Sequence, residues 1–176
     1  MSILIIGDDN YPTEGLPTIM EDEYFGFEIA AFIPSEISDK INAFRRVISL
    51  IYGKKEAERQ IKNWMNCQQT GVDVAIDILK KKHVMLVNKT NNCWKIKKFL
   101  KENCDYKTVI LLGNKAYKLK KALDKLSIDI TILSYPHPSE RSGDSIYWRD
   151  IDYINIDTKY NKKEELEKVF IIEKNK

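Results

Sequence analysis

The chain is poor in the residues that build cross-linked or metal-centred folds. It has three cysteines and two histidines among 176 residues, and Cys67, Cys93 and Cys104 show no CxxC spacing. The odd number and the wide spacing give no support for a disulfide framework, a zinc site or an iron–sulfur cluster held by cysteine. We therefore expect free, reduced thiols and no metal site held by cysteine.

Long apolar runs are also missing. No stretch reaches the roughly 18 uninterrupted apolar residues that a membrane-spanning helix needs, and the opening MSILIIGDDN lacks the basic region and the length of a signal peptide. With seven glycines, five prolines and 43% hydrophobic residues, the composition is that of a globular core. We expect one domain over residues 1–176, no membrane partner and a cytoplasmic location, or the nucleus or viral factory in a eukaryotic or viral setting.

Basic residues are absent from the first part of the chain. Residues 1–39 hold nine acidic residues and no lysine or arginine, so that the remainder has 29 basic residues against 17 acidic ones. A basic surplus accompanies nucleic-acid binding because lysine and arginine neutralise phosphates. Frequent Lys and Asn also follow from genome base composition, so the charge alone leaves both explanations open.

Short apolar runs alternate with helical patterns along the chain. Non-alternating apolar runs predict buried parallel strands at residues 2–6, 83–87, 108–112 and 128–133. Apolar spacing predicts helices at residues 35–51, 54–66, 72–80, 94–100 and 114–126, and a charged terminal helix at 162–176. This order predicts a three-layer α/β/α fold with a central four-stranded parallel sheet. Ligands of such sheets bind at the carboxyl ends of the strands, where Asp9, Asn88 and His137 follow.

Three polar segments at these ends, and one strand-to-helix junction, resemble motifs of a known enzyme family. Residues 7–12, GDDNYP, resemble the GQDPYH segment of the main uracil-DNA glycosylase family. Residues 86–88, LVN, resemble the end of its LLLN strand, and residues 137–141, HPSER, resemble its HPSPL loop. Residues 109–116, VILLGNKA, look like that superfamily's strand-to-helix junction. The motifs have the same order as in the family and cover residues 2–150, and Pro12 and Arg141 resemble its poxvirus members.

The resemblance implies a base-excision enzyme of DNA repair that hydrolyses the N-glycosidic bond of uracil in DNA and leaves an abasic site. Breaking this bond leaves negative charge on the base and positive charge on the sugar, so a donor is needed beside the base and an anion near the sugar. By the resemblance, Asp9 positions the water and stabilises the sugar cation, and His137 donates to the uracil oxygen. Asn88 would accept from uracil N3–H and donate to O4, a pattern that cytosine cannot match.

The resemblance also implies residues that hold the flipped nucleotide. Tyr11 would crowd the C5 position and reject thymine, while Phe25 or Phe27, of which we favour Phe27, would stack on the base. Arg141 would enter the duplex as the nucleotide leaves, and Ser139 would hold flanking phosphates. The implied enzyme is a monomer that binds uracil-containing DNA and uses neither a metal nor a cofactor.

Each of these residues also has a structural interpretation. An aspartate or asparagine after a strand commonly makes an Asx turn or caps a helix, and Asp8 competes with Asp9 for the catalytic assignment. His137, between two prolines, is compatible with a loop histidine bonded to backbone.

The motifs also depart from the family. Asn10 stands in place of the motif's proline, Pro12 in place of its histidine, and Glu140 brings a negative charge near the expected phosphate path. Two further functions therefore stay open. One is a glycosylase-fold DNA-binding or replication-associated module with weak or no catalysis, and the other is an enzyme acting on a different damaged base or on a free nucleoside.

Overall fold

A central parallel sheet organises the molecule. The computed structural model describes residues 2–8, 24–89 and 93–139. Its strands are β1 (Ser2–Gly7), β2 (Val84–Asn88), β3 (Tyr106–Leu112) and β4 (Thr131–Tyr135), all parallel in the order β2-β1-β3-β4. Every residue of β1 and β2 is buried, as strands covered on both faces require. The predicted α/β fold with a four-stranded parallel sheet is confirmed.

Helices occupy the connections between the strands. α1 (Asn42–Tyr52), α2 (Lys54–Asn66) and α3 (Gly71–Lys82) precede β2, and α4 (Cys93–Glu102) joins β2 to β3. The short α5 (Asn114–Tyr117) and α6 (Lys120–Leu123) lie between β3 and β4. The start of α3 is determined locally, because the Thr70 hydroxyl and the Asp73 carboxylate cap each other's backbone N–H groups.

Three predicted elements differ from the structure by more than two residues. α1 begins at Asn42 and not at residue 35, because Glu36 forms a bridge with Thr70 and the Ser35 carbonyl accepts from Gly71 N–H at 3.0 Å. The pattern at 114–126 forms two four-residue helices, and the last strand begins at Thr131. The helix predicted at 162–176 lies outside the described residues.

The outer edge of β2 is covered by the segment 24–33. Tyr24 is fully buried, and its hydroxyl accepts a hydrogen bond from Leu86 N–H at 2.9 Å. Further along, Ala30 N–H donates to the Leu86 carbonyl at 3.2 Å, and Asn88 N–H donates to the Glu28 carbonyl at 3.0 Å. These bonds satisfy backbone groups that an edge strand would otherwise leave open. They also bring the segment 27–31 to the carboxyl end of β2.

Candidate functional site

The carboxyl ends of the four strands meet at one edge of the sheet. Gly7 at the end of β1 pairs with Asn88, and Gly113 N–H after β3 donates to the Tyr135 carbonyl at 2.9 Å. The order of the strands reverses at β1 and β3, which is where open α/β sheets form a ligand crevice. Because adjacent strands lie about 4.8 Å apart, the ends of β2 and β4, three spacings apart, are separated by about 14 Å.

Asn88 occupies the β2 side of this edge with a fixed amide. Its residue surface is 2% exposed, and its Oδ1 accepts a hydrogen bond from Ala31 N–H at 2.7 Å. Only the amide oxygen can accept this bond, so the backbone donor determines which way the amide faces. The second lone pair of Oδ1 and the Nδ2 donor form no hydrogen bond with any residue of the described ranges, which leaves an acceptor and a donor side by side.

His137 occupies the β4 side as a half-buried imidazole. Its Nδ1 accepts a hydrogen bond from Ser139 N–H at 3.2 Å, so the neutral ring carries its proton on Nε2. Burial lowers the pKa of His137 below its ordinary value; the Asp8 charge opposes this shift, and the Lys115 charge adds to it. At neutral pH the ring is therefore uncharged, with Nε2–H as a donor.

The loop that carries His137 is anchored by a residue that the sequence analysis missed. Arg46 on α1 is 5% exposed, and its Nη1 donates to the Pro138 carbonyl at 2.9 Å. Arginine is almost never fully buried unless it is paired. The apolar spacing gave no signal for it, because Arg46 lies about 200° around the helix from Phe44 at 3.6 residues per turn, although both residues are buried in α1.

The Asp8 side chain, just after β1, contacts the segment that follows β3. Its Oδ1 accepts from Ala116 N–H in α5 at 2.5 Å. Its Oδ2 lies 2.5 Å from the point where a Cβ on Gly113 would be, and Gly113 has a φ of +94°, which favours glycine. This contact gives Asp8 a structural role at the site. Asp9, Tyr11 and Arg141 lie outside the described residues, as do Asn10, Pro12 and Glu140, and their assigned roles stay predictions.

Two phenylalanines compete for the role of a base platform. Phe27 is buried with its ring edge against Phe99, at 5.4 Å between centroids, and the Lys95 Nζ lies 4.8 Å above it. Phe32, which is equally buried at 4% exposed, lies at the end of β1, where its Cε1 is 2.8 Å from the point of a Cβ on Gly7. Phe32 also follows Ala31, the donor to Asn88. Sequence reasoning missed Phe32 because its contact with Gly7 joins distant parts of the chain.

Ser139 lies two residues beyond His137 and contacts its ring. It is buried, and its backbone N–H orients the His137 ring. Its contact with a DNA phosphate stays a prediction.

Within residues 2–8, 24–89 and 93–139, no group of three or more His, Cys, Asp and Glu side chains is arranged to hold a metal ion. No helix in that part of the chain is long and apolar enough to cross a membrane.

Comparison with known proteins gives no relative: no family model, no curated protein and no solved structure matches the chain significantly. The interpretation of the site therefore depends on its own geometry and on the short motifs at the strand ends.

Proposed function

We propose that the chain is a uracil-DNA glycosylase-like enzyme that hydrolyses the N-glycosidic bond of uracil in DNA and leaves an abasic site. The observation that carries this proposal is a pair of oriented polar groups at one sheet edge. On one side is the Asn88 amide, whose orientation is set by Ala31 N–H, and on the other is a neutral His137 that presents Nε2–H.

The Asn88 amide suits the Watson–Crick edge of uracil. Uracil presents N3–H as a donor and O4 as an acceptor, which match the remaining lone pair of Oδ1 and the Nδ2 donor. Cytosine presents an acceptor at N3 and an amino group at C4, so both contacts would be mismatched. Unpaired polar groups in a buried site give the strongest discrimination between otherwise similar ligands.

His137 suits the charge that develops on the base. As the N1–C1′ bond breaks, its electron pair leaves with uracil and negative charge accumulates on the ring oxygens. A preorganised N–H donor at this position stabilises the transition state more than the ground state. Water adds to C1′ on the sugar side, and Asp9 is the residue we assign to orient it and to stabilise the sugar cation.

We assign Phe32 as the aromatic platform for the base, in place of Phe27. The Phe32 ring lies against the end of β1 beside the Ala31–Asn88 contact, whereas Phe27 packs against Phe99 and Lys95. A ring beside the recognition amide supports a flipped base by stacking.

The test is excision from a labelled oligonucleotide with a single uracil, read by alkali cleavage under single-turnover conditions. We expect cleavage that needs uracil and is absent with thymine. His137→Ala and Asp9→Asn should each slow the chemical step about a hundredfold or more, since each removes a group that acts on developing charge.

The chain supplies a matched control in its other histidine. His83 ends α3 in a left-handed conformation at the opposite edge of the sheet, and asparagine tolerates this conformation, so His83→Asn should cleave like the parent protein. Unchanged rates in both His137→Ala and Asp9→Asn would refute the assignment. Binding of DNA without any excision by the parent protein would favour a binding module.

A further inference from the structure

An exposed group of aromatic and lysine side chains lies beside the β2 half of the site. We call it the aromatic–lysine surface, and it comprises Phe25, Trp94, Lys95 and Lys98. Trp94 is 63% exposed and Phe25 is 49% exposed. Large rings with this much exposed surface contribute little to the hydrophobic core, unlike the buried rings of Phe27 and Phe99.

The segment 25–31 connects this surface to the site. The Lys95 ammonium donates to the Gly26 carbonyl, and the Phe25 ring contacts the Phe99 ring at 5.1 Å between centroids. The same segment continues to Glu28 and Ala31, which bond to Asn88. α4 begins soon after Asn88, so Trp94 in its first turn also lies toward the carboxyl edge of the sheet.

Phe25 is held in a conformation that phenylalanine rarely adopts. Its φ is +53°, in the left-handed region that is unfavourable for a bulky side chain. Strained residues of this kind concentrate at ligand contacts, where the surrounding structure enforces them. Here the surrounding contacts hold Phe25 in this conformation, with its ring half-exposed.

The charge of the surface is positive. α4 carries Lys95, Lys97, Lys98 and Lys101 against the single acid Glu102. The Lys98 Nζ lies 5.4 Å from the centre of the Trp94 ring and 3.8 Å from a Glu102 carboxylate oxygen. Lysines interleaved with exposed rings match a single strand of nucleic acid, which offers phosphates and base faces in alternation.

We propose that the aromatic–lysine surface binds a single-stranded DNA segment that flanks the target nucleotide, with bases stacked on Trp94 and Phe25 and phosphates beside the lysines. This inference rests on the proposed function for its choice of DNA, and it deepens that function by naming single-stranded DNA as a substrate form. Stacking on a ring tolerates any base, so the surface holds the strand without reading its sequence.

The test is the affinity of the full-length protein for a labelled oligothymidylate without uracil, measured by fluorescence anisotropy. We expect Trp94→Ala to weaken binding about tenfold, as the loss of one stacked base does. Trp94→Phe, which keeps a ring, should retain most of the affinity. Lys98→Gln should reduce the slope of log affinity against log salt by about 0.7, the value for one phosphate contact on a single strand.

Matched controls come from exposed residues on other helices. Lys81 on α3 forms an i,i+4 ion pair with Asp77, as Lys98 does with Glu102, so Lys81→Gln removes a similar charge from another helix. Met65 on α2 is an exposed apolar side chain, and Met65→Ala removes apolar surface from another helix. Both variants should bind the oligothymidylate as the parent protein does.

Several results would overturn the inference. The first two are that the protein does not bind the oligothymidylate, or that Trp94→Ala binds it with unchanged affinity. The other two are that Lys81→Gln reduces the salt slope as much as Lys98→Gln does, or that inorganic polyphosphate, which lacks bases, competes as well as unlabelled oligothymidylate. Loss of binding to phosphatidylserine vesicles in Trp94→Ala, with DNA binding intact, would assign the surface to membranes instead. The oligonucleotide lacks uracil, so this assay measures DNA binding without excision. A failure of this inference is therefore distinguishable from a failure of the proposed function.

Discussion

The two sides of the candidate site hold their polar side chains by different means. On the β2 side, Asn88 belongs to the strand itself and is bonded to Ala31 in the segment that covers the sheet edge. On the β4 side, His137 lies beyond the strand, in a loop held by the Ser139 N–H and by the contact of Arg46 with Pro138.

The charges on the two sides differ as well. The Asn88 amide has no ionisable form and is fixed by a backbone donor. The His137 ring responds to burial, to Asp8 and to Lys115. Under the proposed function, this contrast predicts that the β2 side sets which base is accepted, independently of pH, and that the β4 side sets the rate and its pH dependence.

The largest effect should come from breaking the β2 side with Asn88→Asp. The carboxylate still accepts a hydrogen bond from Ala31 N–H, but it has no donor for uracil O4. A lone pair of the carboxylate then faces a lone pair of uracil O4. We expect uracil excision to fall about a hundredfold or more, with the ratio of cytosine to uracil excision rising, because cytosine brings an amino group to the same place. Single-turnover assays on matched uracil and cytosine oligonucleotides measure both quantities.

Stability must be measured alongside this variant, because a carboxylate at a buried position is itself destabilising. A melting curve shows whether the protein is folded at the assay temperature. An unchanged cytosine-to-uracil ratio in a folded Asn88→Asp protein would contradict recognition by this amide.

A smaller effect should come from loosening the β4 side with Arg46→Met. Methionine fills similar space but removes the donor to the Pro138 carbonyl, which costs about 1–3 kcal/mol of stability if no other donor replaces it. A melting curve checks that the variant is folded at the assay temperature. We expect kcat to fall about tenfold with DNA affinity unchanged, because a small displacement of His137 weakens a contact made at the reacting base. Arg46→Lys, which restores a donor, should recover part of the loss, whereas a fall in affinity alone would contradict a positioning role.

The smallest effect should come from Lys115→Gln, which tests whether the pKa of His137 determines the pH dependence of the rate. Lys115 lowers the pKa of His137, so its removal should raise that pKa. Protonation places a proton on Nδ1, where the ring accepts from Ser139 N–H, so activity is expected at pH values above the His137 pKa and is lost below it. The acid limb of the rate profile should therefore move to higher pH in Lys115→Gln and stay in place in Lys81→Gln, the distant control.

Much of the sheet was predictable from the sequence because each strand is a local run of apolar residues. The beginning of α1 was not, since the bonds of Ser35 and Glu36 to residues 70–71 hold an apparently helical stretch in another conformation. Apolar spacing alone does not reveal these bonds, because their partners at residues 70–71 belong to a different part of the fold.

The candidate site was predictable to a similar degree. Asn88 and His137 follow strands in the pattern, and parallel strands bring such residues to one edge. Nothing in the spacing singled out Phe32 or Arg46, because their contacts with Gly7 and Pro138 join distant parts of the chain.

The amino-acid sequence by itself determined the parallel sheet and the polar residues that follow its strands, because both depend on short stretches of chain. Only the tertiary structure decided how the Asn88 amide faces, which ring lies at Gly7 and what anchors the His137 loop. Each of these depends on a contact between segments far apart in the chain, Ala31 with Asn88, Phe32 with Gly7 and Arg46 with Pro138. Such contacts form only when the whole core packs.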